Sequence, residues 1–199
     1  MARKTISVDF DDVVMDFNRC FMGFHNQKYG TTLTYDQLTR YDDWEILYGN
    51  NKSTMTERAK EFYVSLEHGL ASPVAGALEA ITDLSKDYSL HIVTSRPNHV
   101  KEVTMSWILK HLPDTFTGFH FTNIYAAGGG SRVRSKAEVC REIGAGLLID
   151  DALRHARDVA EAGIVAIIPD RPWNQEETPN GTHRMHSWPE ITTWIKNHI

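Results

Sequence analysis

The acidic residues of this chain fall at telling places. Asp9-Phe10-Asp11-Asp12 closes one short apolar segment, Thr5–Val8, and Asp150-Asp151 closes another, Leu147–Ile149. Thr94-Ser95-Arg96 closes a third, Leu90–Val93, and Lys136 opens the helical pattern that precedes Leu147–Ile149. If these segments are strands of one sheet, all these groups meet at one edge. Carboxylates clustered there cannot all ionise unaided, because like charges raise one another's pKa. A hard cation with oxygen ligands is the remedy. Mg2+ fits, since it takes one or two carboxylates and fills its shell with water and phosphate oxygens. A hydroxyl from Thr94 or Ser95 and the Lys136 ammonium would hold the other phosphate oxygens. The residue types therefore point to phosphoryl transfer, with metal on one side, hydroxyl and amine on the other, and a carboxylate between.

That convergence needs a particular scaffold. Thr5–Val8, Leu90–Val93 and Ile164–Ile168 are too short and too β-branched for helices, and the shorter Phe119–Phe121 and Leu147–Ile149 sit in the same rhythm. Such runs suit strands buried on both faces, as in a parallel sheet. Helical patterns separate them: Ala75–Lys86, a segment capped by Asn98, Ser135–Ile143, Ala152–Ala162 ending at Gly163, and a last helix opened by the capping box Ser187-x-x-Glu190. Alternating strands and helices predict an α/β fold, a doubly wound Rossmann-like parallel sheet with right-handed crossovers. Ligands of such sheets bind beyond the carboxyl ends of the strands.

One stretch breaks the rhythm. Residues 14–71 contain no convincing strand. Val13–Tyr29 reads as a helix carrying Val14, Phe17, Phe21 and Phe24 on one side, and Thr34-x-x-Gln37 and Thr54-x-x-Glu57 read as capping boxes of two more. The expected organisation is an α/β core of residues 1–13 and 72–199 with a small helical cap, 14–71, inserted after the first strand. Asn174–Gly181 reads as a loop.

Composition sets the outer bounds. At 199 residues, with 41% hydrophobic and 24% charged residues, the chain can bury a core without disulfides or a structural metal. A net charge of −5 argues against a nucleic-acid polymer as partner. No apolar run spans a bilayer, no leader pattern precedes Thr5, and Cys20 and Cys140 lack ligand spacing, so no membrane partner and a cytoplasmic location are expected. The oligomeric state stays open.

The ordered set Asp9-Phe10-Asp11, Thr94, Lys136 and Asp150-Asp151 resembles the haloacid dehalogenase superfamily of aspartyl-phosphate phosphatases, over nearly the whole chain. The resemblance implies Asp9 as nucleophile, and Asp11 as acid to the leaving group and then base to water. It implies Thr94, Ser95 and Lys136 as phosphate ligands. Mg2+ would be held by Asp9, the Asp11 carbonyl and one or both of Asp150 and Asp151. Within the superfamily the chain is similar to the 5′(3′)-deoxyribonucleotidases, which carry a helical cap after the first motif and motifs like Thr94-Ser95-Arg96-Pro97 and Leu147–Asp151. That similarity implies a small phosphomonoester, a nucleoside monophosphate, as substrate. Phe17 and Trp44 would flank the base, with Arg96 as a further substrate contact. The arginine-bearing glycine-rich stretch before Lys136 and the segment Pro172-Trp173-Asn174 depart from the superfamily's core pattern.

Rival readings are a phosphatase for a sugar phosphate, a non-catalytic protein on the same fold, and a phospho-aspartate signalling module. The module lacks a cap and places its lysine after the last acidic motif, whereas Lys136 precedes Asp150. A dehalogenase needs no acid at Asp11. Gly128-Gly129-Gly130 lacks the lysine of a phosphate loop, His183-x-x-His186 reads as solvent-facing, and Cys20 and Cys140 as buried thiols.

Overall fold

The computed structural model describes residues 3–41, 43–123 and 133–199; Gly128-Gly129-Gly130 and Asp42 lie outside them. Six parallel strands form one sheet in the order β3-β2-β1-β4-β5-β6. They are β1 (Thr5–Val8), β2 (Ser89–Thr94), β3 (Gly118–Phe121), β4 (Ala145–Ile149), β5 (Val165–Pro169) and β6 (Thr182–Met185). Helices α5 (Ala77–Leu84), α6 (Lys101–His111), α7 (Lys136–Glu142), α8 (Leu153–Glu161) and α9 (Trp188–His198) make the core's layers. The chain runs outward from β1 through β2 to β3, then returns to the far side of β1 with β4. That reversal opens a crevice between the carboxyl ends of β1 and β4, where doubly wound sheets bind ligands. Asp9 and Asp150 stand on its two sides, and the ladder continues into them: Asp9 N–H donates to the Ile149 carbonyl at 2.8 Å and Asp150 N–H to Ile167 at 3.0 Å.

The sheet has one strand more than the sequence predicts. Thr182-His183-Arg184-Met185 has no apolar run because it pairs only with β5 and forms an edge, burying Met185 alone. His183 and His186 are exposed, as expected, and Cys140 is buried, but Cys20 is only half-buried.

The first helix is shorter than predicted. Val13 and Val14 are fully buried but lie in a tight turn, and α1 spans Phe17–Tyr29. The Phe10 carbonyl accepts from both Val14 and Met15 N–H at 3.0 Å, and Asp12 sits at φ 57°. This left-handed residue turns the chain sharply, and few non-glycine residues tolerate it. Here the Asp12 carboxylate offsets the strain by accepting from Asn18 N–H at 3.0 Å and Asn18 Nδ2 at 2.7 Å, capping α1 from a distance. Other parts of the chain pin the same turn: Trp188 Nε1 donates to the Val13 carbonyl at 3.0 Å and Arg171 Nε to that of Asp12 at 3.0 Å.

Beyond the turn the insertion is helical: α2 (Asp43–Gly49), α3 (Lys52–Tyr63) and α4 (Leu66–Gly69) follow α1. Its two crossings to the core run side by side, with Asp16 N–H donating to the Ser72 carbonyl at 2.9 Å and Val74 N–H to Val14 at 2.8 Å. The capping details correct the sequence reading. Asn51, not Thr54, caps α3, accepting from Thr54 N–H at 2.9 Å. The Thr34–Gln37 pair opens only a 3-10 turn. Asn98 lies inside a 3-10 turn and spends its N–H on Asn123 Oδ1 at 3.1 Å. The box at Ser135 and Glu138 forms in both directions, at 3.1 and 2.7 Å. At α9 only half of it does: Ser187 Oγ accepts from Glu190 N–H, while Glu190 itself accepts from His186 N–H.

Candidate active site

Three strand ends and one helix start deliver the polar groups. Lys136, first residue of α7, is buried to 1% side-chain exposure, and its Nζ lies 2.8 Å from Asp9 Oδ1 and 2.6 Å from Asp150 Oδ2. Burial opposes its charge, but Asp150 and Asp9 outweigh that and hold the ammonium pKa above its ordinary value. Asp150 is likewise buried, and Lys136 and His155 overcome the desolvation and hold its carboxyl well below the usual range. Burial lowers the His155 pKa, and its Nδ1–H donates to Asp150 Oδ2 at 3.1 Å, because an ionised carboxylate can only accept. Ala152 N–H donates to the other oxygen at 2.9 Å.

The other carboxylates are less well compensated. Burial pushes Asp9 up strongly against the pull of Lys136, with Asp150 and Asp151 adding to the rise. Its Oδ1, in ion-pair range of Lys136, is a buried acceptor without a directed hydrogen bond. Asp151 is pushed up to about 7, first by burial and then by Asp150, although Trp173 Nε1 donates to its Oδ2 at 2.6 Å. One carboxylate oxygen from each of Asp9, Asp150 and Asp151 lies within 4.8 Å of the other two. One lysine for three buried carboxylates leaves negative charge that a divalent cation would neutralise. The donor set, all carboxylate oxygen, fits such an ion.

Thr94 and Ser95 sit where expected, buried at the end of β2. Thr94 Oγ1 accepts from Arg96 N–H at 3.2 Å, whereas Ser95 Oγ is buried with no hydrogen-bond partner among the described residues. An unpaired buried hydroxyl costs free energy unless a ligand takes it.

Asp11 is paired with Arg96. Its carboxylate is held in a fork by Arg96, with Nη2–Oδ1 at 2.7 Å and Nε–Oδ2 at 2.9 Å. Arg96, expected as a substrate contact, thus has a carboxylate partner within the chain. The guanidinium is 2% exposed, and its remaining N–H groups go to His68 Nε2 at 3.1 Å, Thr104 Oγ1 at 2.7 Å and Met15 Sδ at 3.4 Å. A guanidinium has five donors. All five directions are taken.

The aromatic pair is also arranged differently from the expectation. Phe17 and Trp44 do come together, but their rings stack directly on each other, 5.4 Å between centroids and 7° between planes. A third ring does not fit between planes so close. Phe17 is 1% exposed and packs further on Phe21, Phe62 and Tyr63, as core of the insertion. Trp44 stays partly open.

Beside Asp151 a cavity of about 560 Å³ opens between the insertion and the core, lined among others by Arg40, Tyr41, Arg154, Arg157 and Trp173. Sequence reasoning missed most of what supports the carboxylates. Trp173 was visible only as part of a segment foreign to the superfamily's core pattern, and its neighbour Asn174 donates to the Asp151 and Pro169 carbonyls, both at 2.8 Å. His155, His68 and Thr104 carried no signal at all.

A chain with this sheet order, a helical insertion after the first strand and this carboxylate–lysine cluster can be set beside known proteins. The family model described as 5′ nucleotidase, deoxy (pyrimidine), cytosolic type C protein matches residues 3–198. The chain belongs to this family. It is 23% identical over 201 residues to "Putative nucleotidase BH1399" of Halalkalibacterium halodurans, covering 97% of this chain and 93% of that one. To "Putative nucleotidase YqfW" of Bacillus subtilis it is 22% identical over 198 residues, covering 99% and 95%. Among solved structures, the haloacid dehalogenase-like hydrolase SP0104 from Streptococcus pneumoniae superposes with a TM-score of 0.68 at 14% identity, over 97% of this chain and 98% of that one. The HAD-hydrolase YfnB from Bacillus subtilis, solved bound to magnesium, gives 0.65 at 14% identity over 98% and 100%. The fold is that of the haloacid dehalogenase superfamily, and as a member of the nucleotidase family the chain is a phosphatase of that superfamily. Family membership also sets aside the signalling-module reading.

Proposed function

We propose that this phosphatase hydrolyses nucleoside monophosphates with Mg2+ and through an aspartyl-phosphate, in a cleft closed by residues 14–71 as a cap. The observation that carries the chemistry is Asp9: a buried carboxylate paired with the Lys136 ammonium at 2.8 Å and grouped with Asp150 and Asp151. Asp9 Oδ1 bonds to phosphorus as the ester P–O bond breaks, and Asp11 gives a proton to the departing oxygen. Asp11 then takes a proton from water as that water attacks the phosphoaspartate, freeing Asp9 and inorganic phosphate. Lys136 and the Ser95 and Thr94 hydroxyls hold the phosphoryl oxygens. Asp9, the Asp11 carbonyl and one or both of Asp150 and Asp151 would hold Mg2+, which would supply the charge neutralisation that lets an anionic nucleophile meet an anionic substrate.

Family membership favours a nucleotide, and the cavity beside Asp151 is within the size range of small-molecule sites. One observation favours a second reading, a sugar phosphate or other small phosphomonoester: the direct Phe17–Trp44 stack leaves no slot for a base. The deciding experiment is a phosphomonoester panel of 5′- and 3′-nucleotides, sugar phosphates and p-nitrophenyl phosphate, with Mg2+ and with excess chelator. Nucleotide turnover that needs Mg2+ and vanishes in Asp9→Asn is expected. Full activity in chelator would defeat the mechanism, and turnover of sugar phosphates alone would defeat the nucleotide assignment.

A further inference from the structure

Arg96 is the most heavily engaged side chain outside the carboxylate cluster, and the proposed chemistry gives it no task. Its fork on Asp11 uses two nitrogens and both carboxylate oxygens. A bidentate pair of this kind fixes the carboxylate's direction as well as its place. The guanidinium is itself fixed from three sides. Thr104 of α6 accepts at 2.7 Å and is anchored in turn on the Val100 carbonyl at 2.8 Å. The rings of Phe10, Tyr63 and Phe17 lie 4.6, 4.9 and 5.4 Å from its carbon centre, a cationic plane among aromatic faces. From the insertion, His68 Nε2 accepts at 3.1 Å. His68 is 2% exposed, wedged edge-on against Phe62 and Tyr63, and burial followed by Arg96 lowers its pKa to about 4. It is therefore neutral at neutral pH and can accept.

Arg96 thus joins three bodies: the turn after β1 through Asp11 and Met15, the core through Thr104, and the insertion through His68. We propose that Arg96 is the positioning residue for the Asp11 carboxylate, and that His68 ties that position to the seating of residues 14–71 on the core. Resting on the phosphatase reading, this assigns Arg96 to the acid–base step and not to the substrate. A lysine keeps the charge but has no planar fork, so it holds one oxygen without orienting the group.

The test compares Arg96→Lys, His68→Asn and Thr104→Val with the unmodified protein, using p-nitrophenyl phosphate and an alkyl ester, a nucleotide or sugar phosphate taken from the panel. kcat/KM reports phosphoryl transfer to Asp9, where p-nitrophenolate leaves without protonation but an alkoxide does not. A positioned acid is worth about 10²–10⁴. In Arg96→Lys, kcat/KM for the alkyl ester should fall at least about 30-fold further than for p-nitrophenyl phosphate. His68→Asn and Thr104→Val, each removing one acceptor, should shift the ratio the same way by about threefold, with unchanged circular dichroism. Equal losses for both esters in all three variants would make Arg96 a structural staple and overturn the proposal. A readout without turnover accompanies it: a denaturation double-mutant cycle of Arg96→Lys and Asp11→Asn should show at least about tenfold coupling in the unfolding constant. Additivity within twofold would also overturn it. Should the unmodified protein cleave neither ester, the phosphatase reading itself falls, while the cycle still reports the pair.

Discussion

Replacing Lys136 with methionine removes the ammonium that, among the described residues, pairs with the buried Asp9 and Asp150, while keeping much of the side chain's volume. Its Nζ is 2.8 Å from Asp9 and 2.6 Å from Asp150, at 1% exposure. Breaking a buried ion pair from one side costs about 3–5 kcal/mol, because the stranded charge stays buried. Each kcal/mol lowers the Tm of a domain of this size by about 2–4 °C. Lys136→Met should therefore melt about 6–20 °C lower in metal-free buffer. The same substitution removes a repulsive charge from the cation site, so Mg2+ should raise the variant's Tm more than that of the unmodified protein. An ion at a hundredfold its Kd contributes about 2.7 kcal/mol, enough to return much of the loss. Turnover should stay down by about 10²–10³ even in saturating Mg2+, the usual effect of losing one preorganised donor to a developing anion. Differential scanning fluorimetry with and without Mg2+, followed by steady-state kinetics, reads all three quantities. A metal-free Tm within 2 °C of the parent, with an unchanged Mg2+ increment, would show that Lys136 does not neutralise this cluster.

Four further outcomes are expected. Trp173→Phe removes the 2.6 Å indole donor from Asp151; Mg2+ affinity by calorimetry should fall about 10–100-fold, as for other groups that orient a ligand, and unchanged affinity would refute the role. Asp151 has a folded pKa of about 7, above its unfolded value, so the folded chain binds the extra proton between the two and metal-free stability from this group declines as pH rises from about 4 to about 7. Cation binding displaces that proton, so the Mg2+-induced rise in Tm should be larger at pH 8 than at pH 5.5, and equal increments would contradict the assignment. Phe17→Leu should lower stability by about 1–3 kcal/mol in urea melts, since Phe17 is packed on all sides. Trp44→Leu should instead cut nucleotide kcat/KM by about one to two orders of magnitude if the open indole face stacks on a base, with p-nitrophenyl phosphate unaffected. A parallel loss on both substrates would leave Trp44 a packing residue.

The sequence alone determined the scaffold and which polar groups gather at its edge, and the reason is local. Parallel strands buried on both faces must be nearly continuous apolar runs, so Thr5–Val8, Leu90–Val93 and Leu147–Ile149 declare themselves, and Asp9, Thr94 and Asp150 follow from standing at their ends. Lys136 was legible because Ser135 and Glu138 mark the start of its helix. What escaped was whatever depends on a neighbour distant in sequence. β6 is polar because it lies at an edge, and Val13–Val14 leave the helix because Asp12 takes a left-handed turn that Arg171 and Trp188 fasten from the other end of the chain. Arg96 looked like a substrate contact because an arginine beside a phosphate motif has that chemistry. Only the packing of β1, α4 and α6 around it shows that Asp11, His68 and Thr104 use up its donors. Phe17 and Trp44 were rightly brought together, but whether two aromatic rings enclose a ligand or each other depends on a few ångströms of helix packing, and no periodicity in the chain encodes that distance. A side chain's type fixes what it can do. Which partner it does it with is decided by folding, because hydrogen bonds between residues 85 positions apart leave no pattern in the sequence.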